Sequence, residues 1–369
     1  MSDFDTLTEM FSMARGRLEK GDWDYLIGGS DTESTLLRNR FALDSWAFLP
    51  RVLNDVSDVS YATSFLNHPL RIPVILPPIG SIQAFDPKGA IAVAEGAKDF
   101  GILQILSSAC SPDFKQVALE VQAPRIYQLY VTGDQQWLFK KVEEILEHKY
   151  VGLCFTADTQ VYSRRERDIH NRYIAKEVRD TIERTGDKKV AARQDFNLYQ
   201  SKLSWELIEK VKESFDIPII IKGIMAEADA KRCVDIGVDA IYVSNHGGRQ
   251  LDHTRACIDC LPNIAEVVAG RIPVIVDGGF MRGADVVKGL CLGASMVGMG
   301  RFEALAVAAG GADGVVRALS ILEEEIKISL KLLGAHSISE LGPNLLFKES
   351  GPIRAGYFSS FPLANEALD

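Results

Sequence analysis

The stretch Ser244-Asn245-His246-Gly247-Gly248-Arg249-Gln250 sets an imidazole and a guanidinium three residues apart. An imidazole titrates near neutrality and can take a proton from a reacting group. A guanidinium fork receives a carboxylate through two parallel hydrogen bonds. Together the two make a proton-abstraction site for an anionic substrate. Just before them lies Asp239-Ala240-Ile241-Tyr242-Val243, an apolar run bounded by Gly237 and by Gly247-Gly248. That is the pattern of a parallel strand covered on both faces, so polar residues at its C-terminal end face a site.

The elements that must position these groups follow from periodicity. Eight short β-rich apolar runs, at 72–76, 102–106, 125–131, 152–156, 218–221, 240–243, 273–276 and 295–298, alternate with amphipathic stretches such as 89–100, 134–147, 204–215, 226–236 and 283–292. This alternation predicts an α/β fold, a (β/α)8 TIM barrel. A helical preface spans 1–71, with Gly28-Gly29 breaking one helix and Asp31 capping the next over 33–43. The barrel spans 72–345, and an amphipathic helix over 314–333 closes it. The whole of 1–369 reads as one domain, because a barrel fills such a length and no Pro/Ser-rich linker divides it.

Active sites of such barrels lie at the C-terminal ends of the strands. Those ends carry Pro78 and Ile79; Ser107 and Ser108; Gln128 and Tyr130; Thr156 and Asp158; Lys222; Ser244, Asn245 and His246; Asp277, Gly278 and Gly279; and Gly300 with Arg301. Asp277, at the end of the strand after His246, is placed to hydrogen-bond the imidazole as the third member of a triad does. Helix capping is its alternative role. Arg165 lies in the mixed charge run Ser163-Arg164-Arg165-Glu166-Arg167-Asp168 and, with Arg249, suggests a clamp for a substrate carboxylate. The stretches Asp277-Gly278-Gly279-Phe280-Met281-Arg282-Gly283 and Gly298-Met299-Gly300-Arg301 bring glycines and helix N-termini side by side as a phosphate cup, to which Arg301 adds charge. A phosphorylated cofactor such as FMN suits it, and no Gly-x-Gly-x-x-Gly follows the first strand.

The heptapeptide at 244–250 resembles the signature of the FMN-dependent 2-hydroxy acid oxidase and dehydrogenase family, and further motifs recur in the family's order from about Tyr25 to Leu345. The resemblance implies a flavin-dependent oxidation of a 2-hydroxy acid to a 2-oxo acid. It implies that Tyr25, in Asp24-Tyr25-Leu26-Ile27-Gly28, and Tyr130, in Gln128-Leu129-Tyr130-Val131, are site tyrosines, and that Arg165 and Arg249 hold the substrate carboxylate. It also implies that Ser107, Gln128 and Thr156 bind the flavin ring and that Lys222 stands at its electron-accepting edge. Carbanion and hydride routes both fit these residues, as do oxygen or another electron acceptor, and the family suggests a homotetramer or homo-octamer.

Departures from the family pattern are equally specific. Met281 replaces an arginine that helps hold the FMN phosphate, and Arg282, one position on, is the candidate substitute. Pro78 stands in place of a threonine and lacks a backbone N–H, while Gln160 and Ser163 replace a proline and a glycine. Ala109 stands where short-chain glycolate oxidases carry a tryptophan over the substrate side chain, leaving Tyr162 and Phe85 as the residues that could close the pocket.

Composition bounds the alternatives. A net charge of -9, from 50 acidic and 41 basic residues, argues against a nucleic-acid partner. No run reaches about 18 uninterrupted apolar residues and the first residues do not read as a signal peptide, so the expectation is a cytoplasmic protein with no membrane partner. The six cysteines need form no disulfides, and Cys257-x-x-Cys260 reads as ordinary residues entering a helix. Two other functions compete: another FMN barrel enzyme, such as a flavin-dependent isopentenyl diphosphate isomerase, and a degenerate family member with weak flavin binding that acts as a scaffold.

Overall fold

Eight parallel strands form the centre of the molecule, in a computed structural model that describes residues 4–174, 198–350, 356, 358–361 and 363. They are β1 (Val74–Ile75), β2 (Ile105–Ser107), β3 (Ile126–Leu129), β4 (Gly152–Thr156), β5 (Ile219–Ile224), β6 (Ala240–Val243), β7 (Val274–Val276) and β8 (Met296–Gly298). From β2 to β8 each strand pairs with the next in chain order, and β8 pairs with β1. The ring closes through Leu76, whose N–H donates to Leu103 O at 3.0 Å and whose carbonyl accepts from Ile105 N–H at 2.8 Å. Every strand residue except Gly223 is buried, as expected for strands packed on both faces. The expected strands are all present: 152–156 and 240–243 match, 273–276 and 295–298 lose their first residue, and the others shorten or shift.

Helices pack outside the ring. Those over Ala90–Phe100, Gln135–Glu147, Trp205–Ser214, Glu227–Ile236 and Gly283–Cys291 match the amphipathic stretches. Asp134 and Ser204 accept bonds from Trp137 N–H and Leu207 N–H as N-caps. Helices over Phe114–Glu120 and Cys257–Val268 complete the outer layer, and Cys257 and Cys260 enter the latter as buried free thiols.

Three expectations change. The closing helix starts earlier: Gly300–Leu333 is one long element interrupted at Gly310 and Gly311, where Gly311 has φ 59°. It is apolar and long enough to cross a membrane, yet its buried face packs on Ala90–Phe100 and on Leu7–Arg17. The preface is not purely helical. After helices Leu7–Arg17, Lys20–Ile27 and Ser34–Ser45, Trp46–Phe48 pairs antiparallel with Leu346–Lys348, and Thr63–Phe65 pairs with His68–Leu70. Finally, Asp31 does not cap the third helix. That helix begins at Ser34, and the buried carboxylate of Asp252, far along the chain, accepts from Thr35 N–H at 2.7 Å and Ser34 N–H at 3.3 Å. A capping signal 217 residues away cannot be seen in local sequence.

Candidate active site

A cavity of 370 Å³ opens at the C-terminal ends of the strands, within the size range of small-molecule sites. Its wall includes Tyr25, Pro78, Ile79, Tyr130, Arg165, Lys222, His246, Arg249, Asp277, Gly278, Gly279, Gly300 and Arg301. Ser107, Gln128, Thr156 and Ser244 do not line it; they are buried at the strand ends. Arg40, Thr132 and Thr159 line it although sequence reading passed over them.

His246 follows β6 with φ 58°, and Gly247 and Gly248 follow at 63° and 77°. This left-handed run turns the chain sharply out of the strand. Glycine is required at 248, where a Cβ would lie 2.6 Å from the backbone nitrogen of Leu36. Asp277 is not the partner of the imidazole. His246 Nδ1 lies 3.0 Å from Asp158 Oδ1, and Thr159 Oγ1 donates to the same carboxylate oxygen at 3.0 Å. A carboxylate only accepts, so the proton sits on Nδ1 and the Nε2 lone pair is left for the cavity. The replacement has a structural reason. Gly223, in a bulge of β5 with φ 108°, leaves room for Asp158 where a Cβ would stand 2.7 Å from its backbone nitrogen. Asp158 was visible at the end of β4, but its reach across to β6 was not.

Burial, aided by the charges of Lys222 and Arg165, holds the His246 pKa below its ordinary value against the raising effect of Asp158. The group is therefore neutral at pH 7 and able to accept a proton. Burial pushes Asp158 up, but the charge of Lys222 and the hydrogen bonds from His246 and Thr159 oppose it, and the carboxyl is lowered further whenever His246 is protonated. Asp277 serves Lys222 instead, at 3.7 Å, while Lys222 Nζ donates to Ser244 Oγ at 2.8 Å. Burial alone would discharge Lys222, but Asp277 and Asp158 raise it and keep it cationic.

Two guanidinium groups stand over this floor. Arg249 Nη1 donates to Tyr25 O at 2.7 Å and Gly28 O at 2.8 Å, and its charge lies 4.8 Å from the Tyr25 ring centroid. Burial and the neighbouring Arg165 lower its pKa to about 10, so two like charges share one cavity. Arg165 is 7% exposed, donates to Tyr162 OH at 2.9 Å and has a buried Nε with no partner among the described residues. Such a pair of cations is stabilised by an anion arriving between them. Tyr130 is pushed up to about 12, chiefly by burial, and so remains a neutral phenol donor.

A flavin fits the ring end of this cavity. Gln128 Oε1 accepts from Ser107 Oγ at 3.1 Å and Ser108 N–H at 3.3 Å, which fixes the amide, while Gln128 Nε2 and Thr156 Oγ1 are buried without partners among the described residues. Buried polar atoms are nearly always paired, so these point to a ligand with a polar edge beside Lys222. At the other end, Gly278 and Gly279, with φ 99° and 88°, line the wall beside the start of the Gly300–Leu333 helix. Arg301 does not simply add charge there: its guanidinium donates to Leu26 O, Gly28 O and Gly247 O at 3.2, 2.7 and 2.9 Å. Arg282 does not substitute for the missing arginine, since it pairs with Glu325 and Ser360 O.

A barrel that offers a flavin-shaped cavity, a neutral base and two cations at its strand ends is the architecture of a flavoprotein oxidoreductase. The chain belongs to the FMN-dependent dehydrogenase family, whose model matches residues 14–348. It is 33% identical over 354 residues to a peroxisomal (S)-2-hydroxyacid oxidase of Arabidopsis thaliana, covering 93% of this chain and 96% of that protein. It is 36% identical over 338 residues to the L-lactate oxidase of Lacticaseibacillus rhamnosus, covering 91% and 92%. The crystal structure of a mandelate oxidase with (S)-2-phenylpropionate superposes with a TM-score of 0.83 at 32% identity, covering 95% of this chain and all of that one.

The geometry yields two expected outcomes. The acidic limb of the kcat/KM profile lies below pH 6.5, histidine's ordinary value, because the base works when neutral and its pKa is lowered. Asp158→Asn removes the charge that raises His246, so the limb moves further down and turnover falls roughly 10- to 150-fold as the imidazolium loses its charged partner; Asp277→Asn leaves the limb where the wild type has it. A pH series on the three proteins checks this, and a limb that follows Asp277 instead reverses the assignment. Arg249→Lys cannot reproduce a forked contact and weakens apparent substrate affinity or turnover by an amount worth roughly 2 to 5 kcal/mol; steady-state kinetics within twofold of wild type would rule the clamp out.

Proposed function

We propose that this enzyme oxidises a 2-hydroxy acid with a medium or large, predominantly apolar side chain to the 2-oxo acid, passing the electrons on to oxygen or another carrier. The observation that carries the reading is the neutral, Asp158-bound His246 sharing one cavity with Arg165 and Arg249. Arg165 and Arg249 seat the carboxylate, with the Tyr25 phenol on the same wall. Tyr130 donates to the substrate hydroxyl or carboxylate oxygen. His246 Nε2 removes the proton, from the hydroxyl in a hydride route or from the α-carbon in a carbanion route, and Asp158 stabilises the resulting imidazolium. FMN, when bound, supplies the two-electron acceptor, and the cation of Lys222 favours negative charge at its polar edge.

Substrate size is supported by the small and apolar residues of the cavity wall. Ala109 and Thr132 are small, and Phe85, Ile79 and Tyr162 complete an apolar surface around them. Filling such a space is worth about 0.8 kcal/mol per buried methylene, which a two-carbon acid forfeits. A homotetramer or homo-octamer in the cytoplasm completes the reading. Free buried thiols accord with a reducing compartment, and exposed Val52, Leu53 and Leu332 on neighbouring segments accord with self-association.

Anaerobic mixing of the flavin-loaded protein with glycolate, lactate, long-chain 2-hydroxy acids and mandelate tests the reading through bleaching of the flavin absorbance. Bleaching by the larger acids is expected, and by none of them if the reaction class is wrong. His246→Ala retains flavin but bleaches at least about 10²-fold more slowly, and near-normal bleaching would take His246 out of the reaction. Ala109→Trp removes activity on the larger acids while sparing glycolate; if the larger acids are unaffected, their side chains lie elsewhere.

A further inference from the structure

Among the described residues, the end of the cavity that would hold the cofactor's phosphate has cations near it but none free to meet a dianion. Arg40 reaches the wall from the Ser34–Ser45 helix, yet its five N–H groups are taken. Nε and Nη2 donate to Asp44 Oδ1, Nη2 and Nη1 to the two oxygens of Asp285, and Nη1 also to Gly279 O. Two carboxylates therefore neutralise one guanidinium. Met281, on the wall itself, is 6% exposed and apolar. Arg282 turns outward to Glu325 and is absent from the wall. Arg301 donates to three carbonyls of the N-terminal segment and the His246 loop.

The backbone donors at the start of the Gly283–Cys291 helix are engaged as well. Met281 N–H and Arg282 N–H donate to Asp285 Oδ2 at 3.0 and 3.1 Å, and Gly283 N–H donates to Glu325 Oε2 at 2.7 Å. The chain's own carboxylates thus occupy the anion-binding end of that helix. What remains for a phosphate is the glycine backbone at 278 and 279 and the first turn of the Gly300–Leu333 helix, whose leading N–H groups have no intrahelical partner.

From these contacts we infer that this chain recognises its flavin through the ring and not through the phosphate, so that riboflavin and FMN are bound almost equally. The inference rests on the family's flavin chemistry but not on the choice of substrate. Ring recognition comes from Lys222, on the wall, and from Gln128 Nε2 and Thr156 Oγ1, which do not line the wall but lie beside Ser108 and Lys222, which do, and have no partner among the described residues. Phosphate recognition lacks the forked, charge-assisted contact that a guanidinium gives.

The test titrates the full chain, stripped of flavin, with FMN and with riboflavin, reading the quenching of flavin fluorescence at two ionic strengths. The two dissociation constants are expected within about tenfold of each other, with FMN binding only weakly salt-dependent, since few charged contacts are made. Met281→Arg is expected to tighten FMN by roughly 10- to 150-fold, the worth of a hydrogen bond to a charged group, and to leave riboflavin unchanged. A wild-type preference for FMN beyond tenfold overturns the inference, as does binding of neither flavin, or a Met281→Arg effect equal on both ligands or absent from both. Failure of every 2-hydroxy acid to bleach the bound flavin would instead overturn the substrate reading and leave the flavin comparison standing.

Discussion

Burying Asp158, His246, Lys222 and Asp277 together at the mouth of an apolar barrel is the constraint on which the site depends. A buried charge is tolerated only when it is paired and hydrogen-bonded. One lysine here answers two carboxylates, and one imidazole answers one of them. The same Lys222 charge that steadies both aspartates lowers His246. Lys222 therefore stays charged and His246 stays neutral, one as an electrostatic fixture and the other as a base. The partition is set by register: Thr156 lies beside Lys222, Lys222 beside Tyr242, and Val243 beside Val276, so the ends of β4 to β7 stand level and present these side chains to each other. Losing any one member would leave a partner uncompensated in a region with little water to solvate it.

The barrel and the main part of the site were legible in sequence because both are written locally. Each strand is a short run rich in Val, Ile and Leu, each outer helix keeps its own periodicity, and the residues after each strand arrive in order at one end. His246, Arg249, Arg165 and Tyr130 all line the cavity for that reason, whereas Tyr25, in the helix Lys20–Ile27, came into view only through the family resemblance. What was illegible depends on contacts between distant segments. Asp277 and Asp158 both follow strands, and only the bulge at Gly223 decides that Asp158 reaches the imidazole while Asp277 turns to Lys222. Asp31 had the right residue type for a cap, but Asp252 had the right position. Arg40 was passed over in the sequence, since its service to Asp285 and Asp44 at the cavity wall has no local signal.

The Tyr25–Gly28 segment has a consequence for the order in which this protein becomes competent. Its carbonyls are held by Arg249 and Arg301, residues translated long after it, with a separation of 224 residues for the Arg249–Tyr25 contact. Gly248 O holds it too, accepting from Ser30 N–H at 2.9 Å. The first wall of the cavity to leave the ribosome is thus held by residues that leave it much later. Contacts of such long sequence separation form late, after the loop-closure entropy has been overcome. A chain with its strands already closed but this segment undocked has a base without a finished carboxylate seat. The carboxylate seat is therefore complete only where the N-terminal segment is docked on Arg249.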